Sequence, residues 1–147
     1  ETMCEKQELR EKNRATVEEF FKRYGEPRAE LFDIDGAKEI VYNANGGASQ
    51  CWKNKEEVLE NFISNKSVFP KWAWNVISID STEDPNKFWV EANGSGEVMV
   101  AGKSEPSKYE NHYFFCFEMK DGLILKMREI MNPLKLLEAF GVEVPKM

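Results

Sequence analysis

Residues Tyr109–Met131 read YENHYFFCFEMKDGLILKMREIM, and the alternation in this stretch decides the fold. Side chains along a strand point to opposite faces with a period of two. Tyr109, Asn111, Tyr113, Phe115, Phe117 and Met119 therefore share one face, and His112, Phe114, Cys116 and Glu118 the other. The first set is the more apolar and is expected to face a core, with Tyr109 and Asn111 as its polar tip. His112 is expected on the outer face, at a subunit contact. Lys120-Asp121-Gly122 is a tight hairpin signal. The strand beyond it puts Leu123, Leu125, Met127, Glu129 and Met131 on one face and turns Lys126 and Arg128 to the other.

Upstream, Asn75–Ser81 alternates with Ile77 and Ile79 in phase, and Lys87–Asn93 and Glu97–Ala101 read as two further strands. Asn93-Gly94-Ser95-Gly96 reads as the turn between them; no helix follows, so it is not a phosphate-cradling loop. The chain before Trp74 has helical spacing instead. Leu9, Val17, Phe20, Phe21 and Tyr24 predict an amphipathic helix over Glu5–Tyr24, stopped by Gly25. Pro27 opens a short helix reaching Asp35-Gly36, and Glu39–Asn43 with Gln50–Trp52 read as a hairpin. Asn54 with Glu57 resembles a capping box for a helix reaching Val68, and Asn132-Pro133 caps a last short helix stopped by Gly141. Helices first and an antiparallel meander after them predict an α+β fold, in one domain over residues 1–147. Its curved antiparallel sheet packs the helices on its concave face and leaves a pocket at the mouth.

Composition removes several function classes. Asp and Glu number 26 against 20 Lys and Arg, a net charge of −6, so there is no basic stripe to displace phosphate counterions. Neither nucleic acid nor an anionic membrane surface is an expected partner. No apolar run approaches the roughly 18 residues that span a bilayer. The first twenty residues are charged and lack the apolar segment of a signal peptide. Three cysteines without a CxxC, and a single histidine, supply neither a disulfide framework nor a Cys/His zinc site. The expectation is a reduced, cytoplasmic, metal-free domain.

Glu129 is the leading candidate for chemistry. If its strand stays regular, it faces the interior with the apolar set. Desolvation then disfavours the carboxylate and gives a proton donor and acceptor usable near neutral pH. A buried structural glutamate, or a bulge that turns it outward, is the competing reading. Asn61 and Asn65 lie four apart on one helical stripe beside Phe62, where their amides suit a carboxylate or carbonyl, or simply meet solvent. Phe69, Trp72 and Trp74 follow at once and suit the wall of a pocket for a flat organic ligand, or plain core.

Several blocks resemble the phenazine-biosynthesis PhzA/PhzB family. They include Glu8-Leu9-Arg10, Asn13 to Glu18, Leu31-Phe32 with Asp35-Gly36, and Phe69-Pro70-Lys71-Trp72-Ala73-Trp74. Glu83 to Glu91, Tyr109 to Tyr113, Arg128 to Pro133 and Ala139 to Pro145 continue the match in order, with Ala37–Lys53 the weakest stretch. The resemblance implies an NTF2-like (SnoaL-like) cone and a homodimer, or a heterodimer with a paralogue, paired through the open sheet face. It implies condensation of two aminocyclohexenone carboxylic acid molecules, with no metal or organic cofactor. The family's catalytic glutamate falls in the motif that Arg128-Glu129 matches, so the carry-over lands on Glu129. Asn61, Asn65, Phe69, Trp72 and Tyr109 become the implied substrate-binding set.

The match fails on one helix. Active members carry a histidine at the position aligned with Asn61 and a serine at that aligned with Asn65. An asparagine hydrogen-bonds but does not exchange protons. Alternative readings are therefore a non-catalytic or weakly active accessory subunit that binds an aromatic acid or a paralogue, and an NTF2-like isomerase or hydrolase acting on another cyclic ketone.

Overall fold

The computed structural model describes residues 1–33, 41–43, 51–52 and 54–146. Helix α1 (Met3–Lys22) starts earlier than the spacing predicts, because Thr2 caps it: its Oγ1 accepts the Glu5 N–H at 3.0 Å. Asn13, Val17, Phe20 and Phe21 form its buried stripe. The helix also stops sooner than expected. Arg23 is extended, and Gly25, at φ +78, leads into a 3-10 helix over Glu26–Leu31 with Pro27 in its first turn. That helix ends at Leu31, short of the expected Asp35-Gly36, because Phe32 is extended and bridges Ile124; Asp35, Gly36, Glu39, Gln50 and the turn before Gln50 lie outside the described residues.

Two short strands follow, β1 (Val41–Asn43) and β2 (Cys51–Trp52), paired antiparallel as the sequence suggests. Helix α2 (Lys55–Val68) has Asn54 as its N-cap, with Oδ1 accepting the Glu57 N–H at 2.9 Å. Then come β3 (Lys71–Ser81), β4 (Lys87–Val98), β5 (Ser107–Lys120), β6 (Leu123–Met131) and α3 (Pro133–Ala139). The sheet order is β2-β1-β6-β5-β4-β3. Strands β3 to β6 form the curved, unclosed antiparallel meander, and β1 joins it parallel to β6, with Asn43 opposite Glu129. Asp121 (φ 50) and Gly122 (φ 84) make the tight turn between β5 and β6, since a two-residue turn matching the strand twist needs positive φ at both positions.

The core lies between the inner sheet face and the helices. Phe20, Phe32, Phe88, Phe115, Phe117 and Ile124 are all at most 2% exposed. The β5 face reads as expected: Tyr109, Asn111, Tyr113, Phe115, Phe117 and Met119 are all buried.

Three expectations need correction. Asn93–Gly96 is not a turn, because β4 runs unbroken from Lys87 to Val98. Its glycines serve close packing instead: a Cβ at Gly94 would overlap the Trp72 ring, and one at Gly96 the Lys71 carbonyl. Strand β3 begins at Lys71 rather than near Trp74. A bulge between Val76 and Ser78 then breaks the phase of Ile77 and Ile79, leaving Ile77 exposed while Val76 and Ile79 pack on the core. A second irregularity pairs Glu118 with Lys126 but Met119 with Ile124, so Ile124, not Leu123 or Leu125, shares the inner face with Met127.

Candidate active site

The inner sheet face and the helices enclose a cavity of about 180 Å³. Glu129, Asn61, Asn65, Phe69, Trp72 and Tyr109, the candidates from the sequence, all line it. The β6 bulge lies N-terminal to Met127 and therefore leaves Glu129 pointing inward. His112 lies on the outer face, its Nε2 2.7 Å from Glu91 Oε2 and its ring against Phe114.

Burial pushes the Glu129 carboxyl up to about 7, against the pull of the Arg28 guanidinium. Arg28 is the residue that sequence reasoning missed. Its Nε donates to the Phe20 carbonyl at 3.0 Å and the Arg23 carbonyl at 2.9 Å, and its guanidinium lies 3.9 Å from the centre of the Phe20 ring. Desolvation lowers it to about 10, which leaves it charged at neutral pH. Among the described residues, its buried Nη2 has no hydrogen-bond partner. A buried cationic N–H left unpaired is costly unless a ligand accepts it. One signal was available: in a 3-10 helix residues three apart share a face, which sets Arg28 with Leu31 on the apolar side.

Aromatic rings form the flat walls. Trp72 stacks on Tyr109 at 5.5 Å and 25°, and meets Trp74 edge-on at 5.3 Å. Phe69 closes against Trp72 at 5.8 Å. Gly94 makes room for both indoles, because any side chain there would displace them.

Helix α2 brings Asn61 and Asn65 to the cavity. Among the described residues, their side-chain amides make no protein hydrogen bond. Across the cavity, Tyr109 and Tyr113 bring their hydroxyls together at 2.9 Å, and Asn111 Nδ2 donates to Tyr109 Oη at 2.8 Å. Among the described residues, no three His, Cys, Asp or Glu side chains gather as a metal-ligand set.

The chain and its fold are similar to known proteins. A family model described as Phenazine biosynthesis protein A/B matches residues 1–147. Phenazine biosynthesis protein PhzB1 of Pseudomonas aeruginosa is 39% identical over 142 residues, covering 95% of this chain and 86% of its own. The crystal structure of a phenazine biosynthesis-related protein (phzb2) from the same organism superposes with a TM-score of 0.87 at 34% identity, covering 99% of this chain and 96% of that one. A candidate SnoaL-like polyketide cyclase of Jannaschia sp. CCS1 shares the fold at a TM-score of 0.71 and 16% identity, over 90% of this chain and 94% of its own. The architecture is NTF2-like.

Proposed function

Since the chain belongs to the Phenazine biosynthesis protein A/B family, we propose that it acts in phenazine biosynthesis by condensing two aminocyclohexenone carboxylic acid molecules. The observation that carries this reading is the pairing in one cavity of Glu129, raised to about 7, with the buried guanidinium of Arg28, whose Nη2 has no partner among the described residues. A carboxylate on the substrate satisfies Arg28, and the Asn61 and Asn65 amides add neutral donors. The cavity is smaller than the roughly 300 Å³ at which drug-sized ligands begin, so one ring sits inside and the second meets it at the mouth.

In the proposed chemistry the amine nitrogen of one molecule attacks the ketone carbon of the other. The carbonyl π pair moves to oxygen, which takes a proton from a water molecule at the mouth, while nitrogen gives one to the Glu129 carboxylate. Protonated Glu129 then returns that proton to the carbinol oxygen, which leaves as water as the C=N bond forms. The last proton on nitrogen goes to the hydroxide left by the first water, so Glu129 is again a carboxylate and one water is released net per bond formed. A group near 7 holds both protonation states at working pH. Holding the two reactants together contributes the rest. Expected for Glu129→Gln is a 10²–10⁴-fold loss of product formation, on the order typical of acid/base groups. Equal turnover by mutant and parent, followed by absorbance and mass, would remove Glu129 from the role.

A second reading rests on Asn61, which faces the cavity where the resemblance implies a histidine. In it the chain is an accessory subunit. A mixture with a histidine-bearing paralogue then exceeds the summed activity of the two; strict additivity rejects this reading. We also propose pairing through the outer sheet face, as a homodimer or with a paralogue. Trp89, Phe114 and Ile130 stand exposed on adjacent strands there, with Phe114 directly opposite Ile130.

A further inference from the structure

Asn111 fixes the direction of a hydrogen-bond chain that the Glu129 shuttle does not use. Its Oδ1 accepts the His112 backbone N–H at 2.8 Å, which settles which end of the amide is oxygen. Its Nδ2 then donates to the Asn132 carbonyl and to Tyr109 Oη, each at 2.8 Å, so both amide hydrogens are committed. Tyr109 Oη is thereby an acceptor. Its own hydrogen remains to be given. Two acceptors lie in reach: Tyr113 Oη at 2.9 Å and Met131 Sδ at 3.5 Å. A thioether is a weak acceptor, so the hydroxyl takes it.

The hydrogen of Tyr113 is then left for the cavity that its ring lines. Tyr113 is opposite Met131 and diagonal to Glu129 across β5 and β6, on the same inner face. We infer that Tyr113 is the hydrogen-bond donor to the ligand's ketone oxygen, aimed by Asn111 and Tyr109 as positioning residues. The inference rests on the proposed keto-acid ligand. Burial and the neighbouring Glu129 push the Tyr113 hydroxyl well above its ordinary value, so it stays protonated and donates without ionising.

The division of labour follows from the charges. As the amine attacks, negative charge grows on the ketone oxygen, and a donor aimed at that point stabilises the transition state more than the ground state. Glu129, accepting the proton from nitrogen, cannot supply that donor at the same moment. Each link in the chain polarises the next, so Asn111 strengthens a contact it does not touch.

The test uses the whole protein and an oxocyclohexane carboxylate labelled with ¹³C at the ketone, read by infrared difference spectroscopy. In the wild type the bound carbonyl stretch moves to lower wavenumber, and in Tyr113→Phe that displacement is lost, with affinity reduced about threefold to tenfold. Tyr109→Phe and Asn111→Leu give intermediate stretches, and they report the same hydroxyl should Tyr113→Phe fail to fold. A general loss of packing would weaken binding without moving the carbonyl band of the molecules still bound. Bound probe with one stretch in the wild type and all variants overturns the inference and leaves the keto-acid reading standing. A probe that fails to bind the wild type overturns both.

Discussion

Arg128 and Glu129 are neighbours in sequence and occupy different solvents. Arg128 lies on the outer face, where its Nη2 donates to Cys116 Sγ at 3.1 Å and sits 3.8 Å from Glu118 Oε2. Glu91 and His112 meet on that same face, half-exposed, where water screens the pair. The same two residue types meet at the cavity, Glu129 from the inner sheet face and Arg28 from the 3-10 helix, and there burial shifts both toward neutrality. Tyr113 and Phe114 repeat the contrast on β5, at 5% and 45% exposure. Residue type alone therefore says little here about chemistry. The face adds what residue type leaves out, because desolvation shifts the proton affinity that the side chain starts from.

The contrast can be broken most strongly through pH. Glu129 stands at about 7 in the fold and near 4.5 in the unfolded chain, so the native state binds more protons between those values. Stability from this group is full below about 4.5 and falls as pH rises through 7, by up to about 3 kcal/mol. Calorimetry at pH 5 and pH 8 is expected to show that decline in the wild type and a much smaller one in Glu129→Gln. Parallel curves for the two proteins would place Glu129 in contact with water.

Next in size is Arg28→Gln, which removes the buried charge but keeps a donor. A charge-assisted hydrogen bond is worth about 1.5–3 kcal/mol, so affinity for a ring carboxylic acid should fall roughly 10- to 100-fold by titration calorimetry. Arg128→Gln, on the outer face, should leave that affinity unchanged. Equal losses in both would mean that long-range charge, not the cavity, holds the acid.

Asn61→His follows, with an expected gain in product formation of about tenfold. That is below the 10²–10⁴ of a primary acid/base group because Glu129 already moves protons. An imidazole there titrates in the working range, so the gain should be pH-dependent over pH 6–8. A flat rate would favour the accessory-subunit reading.

The smallest effect belongs to the outer face. Trp89→Ser with Phe114→Ser should change monomer stability by no more than about 0.5 kcal/mol per site, as for exposed positions. The mass by light scattering should nevertheless fall to that of one chain. A dimeric mass that survives both changes would put the interface elsewhere.

Local stereochemistry is what the sequence determined by itself. The period of two in Tyr109–Met119 named the buried face, and Asp121-Gly122 gave the turn, because only particular residues take positive φ there without strain. Asn54 marked the start of α2 for a similar reason: its side chain replaces a backbone partner within one turn. Glu129 was legible as an inward carboxyl since its strand is regular from Met127 onward. Long-range packing decided the remainder. The bulge beside Ile77, the unbroken β4 through Gly94 and Gly96, and the parallel β1–β6 pair depend on partners distant in the chain. The three-residue spacing turns Arg28 to the side of Leu31, but Phe20, Phe62 and Glu129, which surround it there, come from elements distant in the chain. The direction inferred for the Tyr109–Tyr113 hydrogen bond hangs on Asn111, whose amide meets the His112 N–H and the Asn132 carbonyl. Hydrogen bonds and desolvation at a site are set by which groups share a space, and a one-dimensional pattern carries periods, not neighbours.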